Sequence, residues 1–515
     1  MLPDPLEDVL NFFITIGSPA LAAYSLQITH LNTRWLSRAF SDLEYPNSNT
    51  ISTVISALQH IPIQVSSNPL LLPSLIVLPQ NNGYWDLLLK GVEKTRRWSI
   101  PMVMNFVWVV FAILLTIIDS FHLQQSDDVG YAIVATWTYL LPLIMGWLYV
   151  GSQPEPNHLR DCLNAANQIA WVATDQKDRP VLAIDINGRP TRAIEYERGD
   201  VDTARKDELR TAPVFNYSRT FIWALKAQHI LSLARNAAAK ADKRIPVDNY
   251  GAVQGAMWVA SDSGNVANEN RLGTDEQVID YCTEDAPPTE KVFVFGAPSP
   301  LIQSSPTSSR TPNTPAATLP FYDPRNTRRH SDVRWASGIW GRVALAALLA
   351  LGLQWGTVGA AVVIHYWKAP VGLGCRSLSF LLYGSVATLA FFLCLASSIL
   401  THISRPQHGP AYWRSWSQRC LNGWAVFCGY AGKSLAVASG IGILVVCFFQ
   451  SAGTYNNCYC ASMTFDNGFH DVVLLTINYV VGPSLIHVWA GGLILAFSTA
   501  VLFGISIYLG TPPRR

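Results

Sequence analysis

The chain has 515 residues, half of them hydrophobic and only 14% charged, whereas a soluble globular protein carries about 25% charged residues. With 37 basic and 35 acidic residues the formal net charge is +2, which gives no reason to expect a nucleic-acid partner. The composition therefore predicts a mainly α polytopic membrane protein, and the 17 tryptophans suit an aromatic belt at the membrane interfaces.

A helix that crosses the hydrocarbon layer needs about 20 mostly apolar residues, and seven stretches meet or nearly meet this requirement. In chain order they are residues 10–28, 100–118, 129–150, 343–366, 377–400, 434–450 and 484–509. The first is interrupted by Ser18-Pro19 and by Gln27. None of the seven contains Asp, Glu, Arg or Lys in its core, which weighs against a proton-coupled carrier or a channel with a charged filter.

Two further stretches leave the number of spans open. Residues 51–82 carry no formal charge, but their prolines prevent a regular span, so a re-entrant or surface-lying segment is expected. Residues 472–509 form an uncharged run broken at Gly482-Pro483, which is too long for one span and short for two. The sequence predicts a helix bundle of about seven spans, with six or eight as alternatives.

The distribution of basic residues predicts the orientation. With seven spans and an exoplasmic N-terminus, every Lys and Arg except Lys368 and Arg376 falls on the cytosolic side, as the positive-inside rule requires. The C-terminus is then cytosolic, and the host membrane is the plasma membrane or an endomembrane.

The stretch "NNCYC", residues 456–460, falls in an exoplasmic loop, where disulfides form. Cys458 and Cys460 are too close in sequence for an easy mutual bond, so Cys375 in another outer loop is the expected partner of one of them. Metal binding or redox exchange is the alternative for a Cys-x-Cys pair. Three cysteines without a histidine cluster make a poor zinc site, and we therefore favour a structural disulfide with no metal.

The long insertion between the third and fourth spans is expected to fold into a small α+β cytosolic domain. Residues 181–197 alternate apolar and polar positions around Asn187-Gly188, which predicts a β-hairpin. Residues 218–244 predict a helix whose apolar stripe packs on that hairpin rather than on the inner leaflet. The resulting domains are 1–150, 151–296, 297–334 and 335–515, and the second of them is a candidate site for a cytosolic protein partner.

Residues 297–334 are rich in Pro, Ser and Thr and cannot build a core, so they are expected to be a disordered linker. Ser305, Thr311 and Thr314 each precede a proline, and Ser331 follows Arg-Arg-His. These four residues are candidate phosphorylation sites, although linkers of this composition often contain such sites by chance.

Within the predicted spans, His487 is the titratable side chain best placed for a proton or a ligand. A hydrogen bond from a neutral His487 to a neighbouring helix is the simpler interpretation. Small residues repeat every four positions at Gly352, Gly356 and Ala360, and again at Gly492, Ala496 and Ala500, which predicts close helix packing. No nucleotide-binding, metalloprotease or nucleophile-elbow motif occurs, so we predict neither an enzyme nor a cofactor.

The stretches "GSPALAAYSLQITHLNTRW", "RKDELRTAPVFNYSR", "VGLGCRSLSFLLYG" and "HVWAGGLILAFSTAVLF" resemble a group of multi-spanning membrane proteins of filamentous fungi. The resemblance covers most of the chain and implies an architecture, but no established activity and no site residues. It also carries an association with secondary-metabolite gene clusters, without a mechanism.

Three functions are compatible with these features. The first is a non-enzymatic membrane scaffold or sensor with a cytosolic interaction domain and membrane lipid as its surroundings. The second is a transporter or channel for a neutral or lipophilic small molecule, accessory to a secondary-metabolite pathway. A membrane-embedded enzyme ranks last, because no nucleophile, metal set or acid–base pair is present. The sequence does not predict the oligomeric state.

Overall fold

The structure is a computed structural model that describes residues 5–66, 68–95, 129–150, 156–176, 179–184, 192–197, 203–248, 258–260, 266–283, 335–367, 372–405, 416–452, 454–456 and 483–509, together with Cys460 and isolated positions between 107 and 114. Within these residues the chain is mainly helical, as predicted. The predicted linker 297–334 and most of the predicted span 100–118 lie outside them.

The longer described helices are α1 (Pro5–Gly17), α2 (Pro19–Ser41), α3 (Ser48–Ala57), α4 (Leu71–Val77), α5 (Asn82–Thr95), α6 (Val129–Trp137), α7 (Leu140–Val150), α8 (Pro156–Gln168), α9 (Lys206–Leu209), α10 (Asn216–Asp242), α11 (Asp275–Cys282), α12 (Ile339–Tyr366), α13 (Cys375–Ile403), α14 (Trp416–Ser451) and α15 (Pro483–Tyr508). The short strands are β1 (Ile63–Val65), β2 (Trp171–Val172), β3 (Val181–Leu182) and β4 (Ile194–Tyr196).

Among the described residues, 5 helices are long and apolar enough to cross a membrane, namely Ala132–Val150, Ile339–Tyr366, Cys375–Ile403, Trp416–Gln450 and His487–Tyr508. The count rises to 6 if the bent pair α1–α2 is one span. The structure therefore contains several helices long and apolar enough to cross a membrane, as expected, and the number of seven spans stays a prediction.

The interruption predicted at Ser18-Pro19 within residues 10–28 is a bend, because the chain turns by 97° between α1 and α2. Ser18 leaves the helical conformation, with φ −141° and ψ 81°, and Pro19 begins α2. Proline has no N–H to donate to the preceding turn, and its ring excludes the residue before it from the helical region. Both effects end α1 and allow α2 to start in a new direction.

Helix α12 lies at the centre of the apolar helices and packs against α2, α6, α13 and α15. The predicted small-residue stripes bring α12 and α15 together. A Cβ atom on Gly356 would lie 2.4 Å from Thr499, and one on Gly492 would lie 2.6 Å from Ile364. Gly352 has open space around it, so only part of the stripe is needed for this contact.

The helices from α3 to α5 and from α8 to α11 form a second layer whose core is continuous with α2. Helix α10 is buried on nearly all sides, against α2, α4, α11 and α13. Its buried surface is therefore wider than the single apolar stripe expected for residues 218–244. Residues on both sides of position 150 share this core, so packing does not separate 151–296 from the N-terminal part.

The predicted hairpin of residues 181–197 is wrong. Strand β3 pairs with β2 through Trp171 and Leu182, whereas β4 pairs with β1 through Ile63 and Tyr196. The alternating pattern indicates strands, but it does not specify which neighbour each strand joins. The turn residues Asn187-Gly188 lie outside the described residues.

Residues 51–82 fold into α3, β1 and α4, separated by their prolines. Their apolar side chains are buried in the shared core; examples are Ile51, Ile55, Leu75 and Ile76. Helix α4 packs against α10 and α11. The segment therefore contacts protein on its buried side, and its placement relative to a membrane stays a prediction.

Candidate functional site

A largely buried cluster of charges joins the insertion to the end of α13 and to the middle of α14. It is centred on Asp207 and Glu208 in the single turn of α9, which are 8% and 6% exposed. Asp207 accepts hydrogen bonds from Lys433 of α14 at 2.6 Å and from the Tyr217 hydroxyl at 3.1 Å. We call these residues, with Glu197, Arg205 and Arg405, the charged interface.

Glu208 supplies the second half of the charged interface. It receives a hydrogen bond from Arg205 at 3.1 Å and an ion pair from Arg405, which follows the last turn of α13. Arg205 also pairs with Glu197, next to strand β4. The adjacent carboxylates of α9 thus contact both α13 and α14, and they connect these helices to the small sheet.

Burial makes the charged interface sensitive to the loss of any partner. Removing charges from water is costly unless each finds several compensating contacts, and here every buried carboxylate has more than one cationic or hydroxyl partner. Burial alone would lower the pKa of Arg205, but Glu208 and Glu197 together raise it above its ordinary value. Burial, followed by Asp207, raises the pKa of Tyr217 well above its ordinary value.

Arg219 ties α10 to the turn around residue 60. Its buried guanidinium donates to the backbone oxygens of Gln59 and Glu208, both at 3.3 Å, and to the Asn216 side chain. Burial lowers the pKa of Arg219 to about 10, so it stays charged at neutral pH. A polar cavity of about 10 Å³ beside it has room for about one water molecule.

Hydrogen bonds also hold the start of α10 against the apolar helices. Ser25 of α2 donates to the Val214 oxygen at 2.7 Å, and Asn216 donates to the Thr29 hydroxyl at 3.0 Å. From α13, Ser398 donates to the Tyr217 oxygen at 3.1 Å. The insertion therefore packs directly between α2 and α13.

An aromatic cluster completes this contact at the start of α12. The ring of Trp335 lies 5.4 Å from Phe221 of α10, 4.8 Å from Trp340 and 4.7 Å from His402 of α13. The backbone N–H of Ser337 donates to Gln228 of α10 at 2.6 Å. The starts of α10 and α12 and the end of α13 consequently meet at one end of the helix bundle.

A second polar feature surrounds the break between α1 and α2. The backbone N–H of Ala20 donates to Gln354 of α12 at 3.0 Å, and Gln354 donates in turn to Gly384 and Thr388 of α13. The Tyr383 hydroxyl donates to the Ile16 oxygen at 2.6 Å. The break leaves backbone N–H and C=O groups without partners inside a helix. In an apolar environment such groups need other hydrogen-bond partners, and Gln354 and Tyr383 provide them.

The structure joins Cys375 to Cys460, with their Cα atoms 5.4 Å apart. This is one of the two pairings that the sequence left open, and Cys458 lies outside the described residues. Cys375 begins α13, whereas the charged interface contacts the other end of that helix. The disulfide and the charged interface are therefore at opposite ends of α13.

The remaining predicted site residues are not brought into the charged interface. His487 is exposed near the start of α15 and makes no hydrogen bond with the residues that the structure describes. The candidate phosphorylation sites Ser305, Thr311, Thr314 and Ser331 lie outside the described residues. Within the described part of the chain, no group of His, Cys, Asp and Glu is arranged to hold a metal ion.

The sequence did not point to Asp207 or Glu208 as site residues, because charges in a long insertion are normally solvated. It did not point to Arg405 either, because a basic residue at the end of an apolar helix is expected to face water. One feature of the sequence was suggestive. The carboxylates of "KDEL", residues 206–209, lie between the basic residues Arg205 and Arg210, a few residues before α10. Comparison with known proteins found no matching family model, no matching curated protein and no matching solved structure. The resemblance to fungal membrane proteins therefore stays a prediction.

Proposed function

We propose that this chain is an integral membrane protein that acts as a non-enzymatic scaffold or sensor, in which contacts between the apolar helices and a cytosolic insertion couple the movements of these two parts. The observation that carries the proposal is the charged interface, where Asp207 and Glu208 of the insertion bind Lys433 and Arg405 of α14 and α13. A merely tethered domain would not need buried ion pairs with the helices.

The positions of the disulfide and of the insertion support the orientation predicted from the basic residues. Disulfides persist on the exoplasmic or lumenal side of membranes, and Cys375–Cys460 lies at the end of α13 opposite the charged interface. The insertion then belongs to the cytosolic end of the bundle. A conformational change in the outer loops would then reach the insertion through α13 and α14.

The charged interface is suited to couple the outer loops to the insertion, because a small sliding movement of a helix would break its ion pairs. Lys433 Nζ and Asp207 Oδ1 are 2.6 Å apart, and Asp207 is buried whereas Lys433 is partly exposed. Removing one partner of a buried ion pair costs about 3–5 kcal/mol, because the other charge stays buried without compensation. Packed helices shift between discrete arrangements by 1–2 Å in known switches. A shift of that size in α14 would release α9.

Hydrogen exchange of the full-length protein in lipid nanodiscs tests the coupling. Reduction of Cys375–Cys460 perturbs the outer end, and we expect faster exchange in residues 203–219 at the opposite end. The matched control is the double variant Asp207→Asn with Lys433→Met, in which reduction should leave the exchange of 203–219 unchanged. If reduction has no effect on 203–219 in the wild type, the coupling proposal is wrong.

A transporter of a neutral or lipophilic compound is the second candidate, and the break between α1 and α2 favours it. Discontinuous helices whose backbone is paired by side chains line substrate sites in many transporters. Uptake of a panel of neutral, lipophilic fluorescent compounds into proteoliposomes distinguishes the two candidate functions. Uptake that disappears in Gln354→Leu would support a transporter, whereas uptake equal to that of empty liposomes would contradict it and favour the scaffold or sensor.

A further inference from the structure

Arg342, in the first turns of α12, is a buried cation with no anion beside it among the described residues. The residue is 9% exposed, and its Nε, Nη1 and Nη2 atoms make no hydrogen bond in the part of the chain that the structure describes. The guanidinium carbon lies 4.2 Å from the centre of the Trp35 ring. That contact covers one face of the guanidinium, while its N–H groups point outward in its own plane.

A buried guanidinium in this state is unfavourable unless an acceptor is supplied. Each unpaired N–H forfeits the hydrogen bonds it would make to water, and an unpaired charge adds to this penalty. A long side chain can instead extend its charged head into water, but the nitrogens of Arg342 are buried. An external anion with acceptor oxygens would satisfy them.

The depth of Arg342 indicates where such an anion would come from. Gln354 stands near the middle of α12, and Arg342 precedes it by 12 residues. At about 1.5 Å per residue this distance is about 18 Å, compared with a hydrocarbon half-thickness of about 15 Å. With the middle of α12 placed at the bilayer centre, Arg342 would be at the level of the phospholipid phosphates, at the end of the bundle where α12 meets the insertion.

The neighbouring face of α12 can accommodate acyl chains. Leu345 and Leu348 are 47% and 69% exposed, and Trp340 is 46% exposed. Gly341, Leu345 and Leu348 follow the i, i+4, i+7 spacing of one helix face, directly beside the position of Arg342. A lipid whose chains lie along this face would have its headgroup next to the first turn of α12, where the helix dipole also favours an anion.

We propose that Arg342 is a binding residue for a phosphate group, which an anionic phospholipid of the inner leaflet supplies through its headgroup. Planar guanidinium groups match phosphate oxygens in a bidentate arrangement. Trp35 holds the guanidinium from one face, and the exposed leucines of α12 contact the acyl chains. This site is independent of the charged interface, and its assignment to the inner leaflet rests on the proposed cytosolic position of the insertion.

Binding is measured on the purified full-length protein in a neutral detergent by titrating short-chain phosphatidic acid and following thermal unfolding through tryptophan fluorescence. We expect the lipid to raise the unfolding temperature of the wild type. Arg342→Gln should bind the lipid about tenfold or more weakly, since it loses charge-assisted hydrogen bonds. Arg419→Gln, which removes an exposed arginine of α14, is the matched control and should bind like the wild type.

Two additional titrations identify the source of the anion and control for a folding defect in Arg342→Gln. Inorganic phosphate should have little effect, and an equal effect would overturn the lipid as its source. Arg342→Lys keeps the charge but loses the planar fork, so it should bind with intermediate affinity. The proposal is overturned if Arg342→Gln or Arg342→Lys binds phosphatidic acid as tightly as the wild type. It is also overturned if Arg419→Gln loses as much affinity as Arg342→Gln.

Discussion

Lys433 and Asp207 are 226 residues apart in sequence, yet the Lys433 ammonium lies 2.6 Å from a carboxylate oxygen of Asp207. Side-chain exposure is 16% for the lysine and 10% for the aspartate. The pair links the insertion to α14 at the place where the uncharged part of that helix begins. Through this pair a movement of α14 acts directly on α9.

Removal of one partner from this pair should be more harmful than removal of both. We expect Lys433→Met to destabilise the protein by about 3–5 kcal/mol, because Asp207 remains buried without its main cation. Adding Asp207→Asn should restore part of that loss. Thermal unfolding in detergent measures both effects, with Lys90→Met at an exposed position of α5 as the control. Equal destabilisation by the single and double variants would contradict this account.

Gln354 should be required for the break between α1 and α2. Gln354→Leu leaves the Ala20 N–H without its acceptor, and an unsatisfied buried donor costs about 1–3 kcal/mol. The same substitution at Gln64, which is exposed in β1, should change stability little. Unfolding midpoints of the two variants provide the comparison, and an equal midpoint for both would show that the Ala20 contact is unimportant.

Gly17 should tolerate no side chain. A Cβ atom there would lie 1.6 Å from the backbone oxygen of Ala436 in α14, so Gly17→Ala must push α1 and α14 apart. We expect a loss of about 1–3 kcal/mol or more and a lower yield of folded protein. Gly352→Ala, where the added atom meets open space, should fold normally. Size-exclusion profiles and unfolding temperatures of the two variants test the difference.

His60 should make the folded protein less stable in mild acid. Burial first, and then the nearby Arg219 charge, lower the pKa of His60 from 6.5 to about 3. The unfolded chain therefore binds a proton between these values while the folded chain does not, so stability falls as the pH drops below about 6.5. At pH 5 this group alone should account for about 2 kcal/mol.

The contribution of His60 is isolated by comparing variants at pH 7 and pH 5. His60→Gln should lose less stability on acidification than the wild type. His229→Gln, at an exposed position of α10, should behave like the wild type. An identical pH dependence in His60→Gln and the wild type would show that His60 is not held neutral.

The disulfide should be specific for one of the two neighbouring cysteines. Cys375→Ser and Cys460→Ser each abolish the bridge and should lower the unfolding temperature equally, by an amount equivalent to about 2–4 kcal/mol. Cys458→Ser should have no such effect. Non-reducing peptide mapping identifies the bridged peptides directly, and a Cys375–Cys458 peptide in the wild type would contradict the pairing.

The sequence predicted the helices better than it predicted their partners. Length and uninterrupted apolar character are local properties, so residues 343–366 and 377–400 coincide closely with α12 and α13. Proline chemistry is local as well, and it indicated the interruption at Ser18-Pro19. It did not indicate the 97° turn, since the direction of α2 depends on Gln354 and Tyr383, which are hundreds of residues away.

By itself, the sequence determined which segments are apolar enough to be helices and where prolines interrupt them, and together with the predicted orientation it made Cys458 or Cys460 the expected partner of Cys375. Only the tertiary structure decided that β4 pairs with β1, that α10 is buried between α2 and α13, and that Asp207 meets Lys433. It alone placed Arg342 in a buried position, with no hydrogen-bond partner for its guanidinium in the described part of the chain. The physical reason is that burial and charge pairing depend on groups distant in sequence, whereas hydropathy and backbone restriction act over neighbouring residues.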